Sequence, residues 1–245
     1  MKRNWFALGI AGLALAVCAV LLVPGSTANG PATSNVRLAH AALGVPLPVD
    51  VSVDGSPVST GVSYKTVTPY IPLPAGPHTV EIKLSGLPIT VISETVYLTS
   101  GVDLTIVGMG VMPSITTTAL LDNNHPATKD TVRLVHASPD TGPVDVLVTG
   151  TLTSTVITGL PYKEASDYTG GLGVGEASFE VRPSGEITPL LTFTHTLQSD
   201  TINTFFIMGA STPPGSFTYP LAAVHALDRH FSFLYLPIVL KEYEP

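Results

Sequence analysis

The chain has 245 residues, 44% of them hydrophobic and only 12% charged, with 18 acidic against 11 basic residues for a net charge of −7. Charge this sparse, with no basic patch, argues against nucleic acid as a partner, and the acidity serves solubility. The single Cys and single Trp, Cys18 and Trp5, both lie in the first 28 residues.

Met1 to Ala28 reads as an export signal. Lys2 and Arg3 form a positive start, Trp5 to Val23 is almost wholly apolar, and Ser26-Thr27-Ala28 offers small residues to a signal peptidase. Cleavage is expected after Ala28, because Pro24-Gly25 breaks the apolar run just before it. An uncleaved anchor is the rival reading, since the run approaches spanning length, and a lipoprotein reading would need acylation at Cys18. With the segment removed, nine basic residues face eighteen acidic ones, a net of −9. The mature chain then has no Cys, can form no disulfide and must be held by core burial. No membrane span is expected in it, and its place is extracellular or at the cell surface.

After a spacer over 29–35, alternation of period two recurs wherever the chain is regular. Val49, Val51 and Val53 share one face while Asp50, Ser52 and Asp54 share the other, and Thr79 to Leu84 and Phe179 to Arg182 behave alike. Such segments are strands with one face in a core and one in water. Asp54-Gly55 has the chemistry of a two-residue hairpin turn. Gly or Pro punctuates the chain every eight to twelve residues and no helical stripe appears, which points to β-sandwiches rather than βαβ units.

The strongest signal is internal repetition. Val36-Arg37-Leu38-Ala39-His40-Ala41, followed by Val49-Asp50-Val51, returns ninety-six residues later as Val132-Arg133-Leu134-Val135-His136-Ala137, followed by Val144-Asp145-Val146. A repeat of that length is a small domain rather than a solenoid unit. The match extends from Ser63–Tyr70 to Pro161–Tyr168 and from Leu73-Pro74-Ala75-Gly76 to Leu172-Gly173-Val174-Gly175. It continues from Thr105–Gly108 to Phe206–Gly209 and from Leu121-Asp122 to Leu227-Asp228. The expected order is therefore a first repeat over 36–122, a linker over 123–131, a second repeat over 132–228 and an apolar tail or edge strand over 229–245. The linker is short enough for the domains to touch. Each copy has enough strands to close its own core and is expected to fold alone.

These residues resemble a known family. Val-Arg-x-x-His-Ala-Ser-Pro-Asp, present as Val132 to Asp140, with Val-Asp-Val, Tyr and a Leu-Pro-Ala-Gly turn, resembles domain of unknown function 4397, a family of exported bacterial β-domains often found in tandem. The first copy departs from it with Ala42-Leu43-Gly44 in place of Ser-Pro-Asp. The resemblance implies fold and export and no established activity. The turns also look like those of immunoglobulin-like and transthyretin-like modules. The fold class expected is all-β, two tandem immunoglobulin-like or transthyretin-like β-sandwich domains after a signal peptide.

Candidate sites are few. His40 and His136 repeat at one point of each copy; metal or catalytic work would need a partner such as Asp140, which the first copy lacks. A His at the end of a strand more simply bonds a loop backbone. Asp50 and Asp145 could join a surface calcium site with Asp54 or Asp140, but no short loop gathers enough oxygens. Gly170 to Gly175 looks like a phosphate cradle, yet an alternating strand follows it rather than a helix. Tyr64 and Tyr70, repeated as Tyr162 and Tyr168, are six apart; on a strand they would share a face, as a core pair with hydroxyls at the rim or as a stacking platform for sugars. No nucleophile or zinc motif is present, no cofactor is called for, and no catalytic residue stands out. The reading is a secreted or cell-surface, non-catalytic protein for binding, adhesion or envelope structure, its surface ligand an unidentified protein or glycan. The alternative is an extracellular carbohydrate-binding or carbohydrate-processing module.

Overall fold

The computed structural model describes residues 33–122, 130–211 and 219–230. The expected signal segment, residues 123–129 of the linker and the tail beyond His230 lie outside the described residues. The first copy contributes β1 (Thr33–Leu43), β2 (Val49–Val53), β3 (Ser56–Val62), β4 (Ile71–Pro74), β5 (Gly76–Leu84), β6 (Thr90–Leu98), β7 (Asp103–Val111) and β8 (Ser114–Asp122). The second contributes β9 (Thr131–Ala137), β10 (Val144–Thr149), β11 (Ser154–Leu160), β12 (Gly175–Pro183), β13 (Leu191–Leu197), β14 (Thr201–Met208) and β15 (Ala222–His230). The fold is all-β, as the alternation and the spacing of turns implied.

Each copy is a sandwich of two sheets. The first pairs β4-β1-β7-β8 with β3-β2-β5-β6, and the second pairs β15-β14-β9 with β11-β10-β12-β13. The contacts β1–β7 and β9–β14 are parallel and the other strand pairs are antiparallel. Asp54 and Gly55 both take positive φ, 52° and 77°, which is the mirror-type hairpin turn that joins β2 to β3 with the right-handed twist of its strands. Between the sheets of the first copy lies an aliphatic core including Val36, Leu38, Val51, Ile82, Leu104 and Ile106. The second core includes Val132, Leu134, Val146, Phe179, Phe205 and Ile207, with the Phe179 ring stacked on Phe193 at 4.5 Å.

The expectation of one wet face per strand holds for β2, β5, β10 and β12, whose buried and half-exposed residues alternate. It fails for β1, β7, β9 and β14, which are buried along almost their whole length. The reason is a third apolar layer. Ala39, Ala41, Val107 and Met109 of the first copy and Val135, Ala137, Phe206 and Met208 of the second form one cluster. Within the unit that runs from Pro31 to Pro245, the copies thus pack sheet on sheet and the strands at that seam are covered on both faces, as in sheets buried between layers.

Strand register also corrects the repeat alignment. Arg37 faces Thr105 across β1–β7 and Arg133 faces Thr204 across β9–β14, so Thr105 corresponds to Thr204 rather than to Phe206. The sequence match had slipped by two residues. A shift of two leaves every side chain on its original face, so hydrophobic pattern alone does not detect it.

Candidate functional site at the seam between the repeats

The seam is organised by a repeated polar cluster in which each arginine crosses between copies. Arg133, buried in the second copy, donates through Nε to Thr204 Oγ1 at 3.1 Å and through Nη2 to Asp122 Oδ1 of the first copy at 2.5 Å. Its Nη1 donates to the Leu121 carbonyl at 2.9 Å. Arg37 repeats the pattern, donating through Nε to Thr105 Oγ1 at 2.8 Å, with Nη2 2.6 Å from Asp228 Oδ1 in a charge contact that lacks hydrogen-bond alignment. Thr105 and Thr204 in turn donate to Asp122 and Asp228, each at 2.6 Å. The four charged side chains are at most 2% exposed and sum to zero.

Tyr70 and Tyr168 complete this cluster. Tyr70 donates to Asp122 Oδ2 at 2.6 Å under the Arg37 guanidinium, and Tyr168 donates to Asp228 Oδ2 at 3.2 Å under that of Arg133. Burial raises the Tyr168 hydroxyl, with Asp228 and Asp122 adding to it against Arg133. Burial also raises Asp228 above the usual carboxylate range, against the opposing pull of Arg37 and Arg133. At Arg133 the cost of burial is outweighed by Asp122, Tyr168 and Asp228, which hold the guanidinium above its ordinary value. Arg37, Arg133, Asp122 and Asp228 were not singled out from sequence. The available signal was an Arg kept in both copies inside an otherwise apolar strand.

The other sequence candidates settle into local roles. His136 donates from Nε2 to the Gly142 carbonyl at 2.7 Å and accepts at Nδ1 from Ser138 N–H at 3.3 Å, which defines a neutral imidazole holding the loop after β9. Burial pulls its pKa down, partly offset by the Gly142 bond. Asp140 turns both oxygens to Ser211, accepting from its N–H and its hydroxyl at 3.0 Å each. His40 is buried edge-on to Tyr64, at 6.1 Å between ring centres, and burial pushes it down to about 4. Asp50 accepts from Gly61 N–H and Ser85 Oγ, and Asp145 from the N–H groups of Gly159 and Gly185. Both carboxylates pin backbone loops, and those bonds hold them below the usual range.

Tyr64 and Tyr162 lie in turns rather than on strands, so the shared-face geometry does not arise. Both hydroxyls are buried without a hydrogen-bond partner, and burial raises both. Gly170 to Gly175 leads into β12, a strand, so it offers no helix N-terminus to a phosphate.

A groove opens where the copies meet, and a cavity of the second copy adjoins it. The groove, of about 410 Å³, runs between the first copy's Arg37, Thr68, Pro69 and Tyr70 and the second copy's His225 and Leu227. Beyond His225 and Leu227, which line both, a smaller cavity of about 130 Å³ is bounded by His195, Gln198, Thr201 and Asn203. The His195 and His225 rings lie 4.2 Å apart, tilted by 40°. Burial lowers both, and at His225 the neighbouring His195 and Arg37 lower it further. Neither histidine was singled out from sequence, because neither recurs in the other copy. Strand register places Val96 and Ala119 of the first copy where these histidines stand.

The chain matches the family described as "Domain of unknown function (DUF4397)" twice, over residues 34–147 and 130–223. No curated protein matches it. Among solved structures it is similar to streptococcal family 41 carbohydrate-binding modules described as recognising α-glucan, at 12% identity and a TM-score of 0.28, over 76% of this chain and 98% of that one. A second, described as α-glucan binding by a streptococcal virulence factor, gives 12% identity and a TM-score of 0.26 over 76% and 97%. Likeness at that level carries no argument about a ligand.

Proposed function

We propose, for a chain that belongs to the DUF4397 family, the role of an exported, non-catalytic binding protein whose ligand surface is the groove at the seam between its repeats. The observation that carries this reading is the groove itself. Its volume of about 410 Å³ falls in the range of roughly 300–1,000 Å³ usual for small-molecule sites. Its lining combines exposed apolar surface at Leu227 with the polar residues Arg37, Tyr70 and His225. Among the repeated residues, His136, Asp50 and Asp145 bond loop backbone, and Tyr70 and Tyr168 bond the carboxylates of the seam. Guanidinium groups cover one face of Tyr70 and of Tyr168, so a sugar ring would have only the opposite faces for stacking.

The test is a binding screen of mature protein, beginning near Asn29, against glycans, peptides and cell-envelope fractions. Leu227→Arg places a charge in the groove at a residue that is 50% exposed, so the fold is retained. Leu121→Arg, the matched position of the first copy, serves as the control. Binding lost only with Leu227→Arg supports the groove. Binding that survives it refutes the groove as the ligand surface, and substrate turnover in the same screen refutes the non-catalytic role.

A further inference from the structure

The repeat provides an internal control for the corner beside the groove. Positions that match between the copies serve folding and the seam, whereas this corner differs in chemistry. The first copy carries Val96, Leu104 and Ala119 where the second carries His195, Asn203 and His225, by strand register. Apolar residues therefore suffice to close a sandwich at this place, and the sandwich does not require the polar set.

The bonding of that set prepares a nitrogen lone pair. Asn203, buried, donates through Nδ2 to Thr201 Oγ1 at 3.0 Å, which orients its amide. Asn203 Oδ1, an acceptor only, then stands 2.8 Å from His225 Nε2, so Nε2 carries the proton and Nδ1 is left with its lone pair. A bond from the far ring nitrogen to an amide or carboxylate oxygen is the usual support of a metal-bound imidazole. His195 comes from the opposite sheet, on β13, and meets His225 of β15 at the mouth of the 130 Å³ cavity. Two imidazoles on adjacent positions of one ion, with metal–nitrogen bonds of about 2.0–2.1 Å, have ring centres roughly 4.5–5 Å apart. The present 4.2 Å needs only a slight opening of the pair.

We infer that His195 and His225 form a two-histidine site for a borderline divalent transition ion, such as Cu²⁺, Ni²⁺ or Zn²⁺, with Gln198 and water completing the coordination. Two neutral imidazoles without a carboxylate favour these ions over Ca²⁺ or Mg²⁺, which take oxygen ligands. An ion held here would clasp the edges of the two sheets of the second sandwich.

Titration with Cu²⁺ and, separately, Zn²⁺ tests the site, read by calorimetry and by the imidazole resonances. The expected result is one ion per chain, perturbing the His195 and His225 signals first, with no competition from a large excess of Ca²⁺. His195→Val and His225→Ala install what the first copy already holds and should each weaken binding at least tenfold. Zn²⁺ should raise the melting temperature of the parent protein and not that of the double variant. Equal affinity in the parent and the double variant, or first perturbation at other histidines, overturns the site. Ligand binding at the groove is measured without metal, so either proposal can fail while the other stands.

Discussion

Replacing Arg133 by Met tests the seam most directly. The side chain is 2% exposed and its partner Asp122 is wholly buried. The substitution removes three hydrogen bonds, to Thr204, Leu121 and Asp122, while the Met retains much of the apolar packing. It also leaves the seam with two carboxylates and one guanidinium, a buried charge with no counterpart. Breaking a buried pair from one side costs about 3–5 kcal/mol, most of it from the stranded charge. Arg182→Met is the reference, since its contact with Glu180 is about one-third exposed and such a pair is worth less than about 1 kcal/mol. Urea unfolding followed by far-ultraviolet circular dichroism gives both values. The double variant Arg133→Met, Asp122→Asn restores neutrality and keeps an acceptor for Tyr70 and Thr105, so it should be more stable than Arg133→Met alone. A loss below about 1 kcal/mol for Arg133→Met, or a double variant less stable than the single one, would refute the stranded-charge argument.

Two further outcomes are expected. His40, held down to about 4 by burial, contributes full stability above its unfolded value of 6.5 and loses it as pH falls from there toward 4, a change of about 3 kcal/mol for that proton. His78 runs the other way. Its two nitrogens face Asp54 Oδ2 and the Pro74 carbonyl, and those bonds, Asp54's first, raise its pKa. Its contribution is therefore present below pH 6.5 and lost as pH rises through the folded value. Imidazole titration by NMR should place His40 below 6.5 and His78 above it, and the reverse order would refute both assignments. A fragment over 29–124 can close its own core, yet it exposes Ala39, Ala41, Val107 and Met109 and leaves Arg37 and Asp122 without the other copy. It should pair with a second copy of itself through a two-fold seam, detectable by sedimentation, and a monomer as stable as the full chain would show that the seam contributes nothing.

What the sequence determined by itself was everything carried by local periodicity and repetition. Alternating valines around Asp50 and Asp145 imposed strands, Asp54-Gly55 imposed its turn, and the twice-stated Val-Arg-x-x-His-Ala motif imposed two like units. Those signals depend on neighbours along the chain. The seam depended on something else: which unit's Arg would meet which unit's Asp. Arg37 and Asp228 are far apart in sequence and pair only because two β-sheets stack, so nothing local announces the contact. The same holds for strand register, where a slip of two residues preserves the pattern and only the Arg–Thr pairing across parallel strands resolves it. The repeat led attention to what recurs, His40 and His136 above all, and both are buried inside the fold. The groove and the pair His195–His225 were decided by tertiary structure alone, because each draws its walls from different sheets, and the two histidines are residues that the repeat does not share.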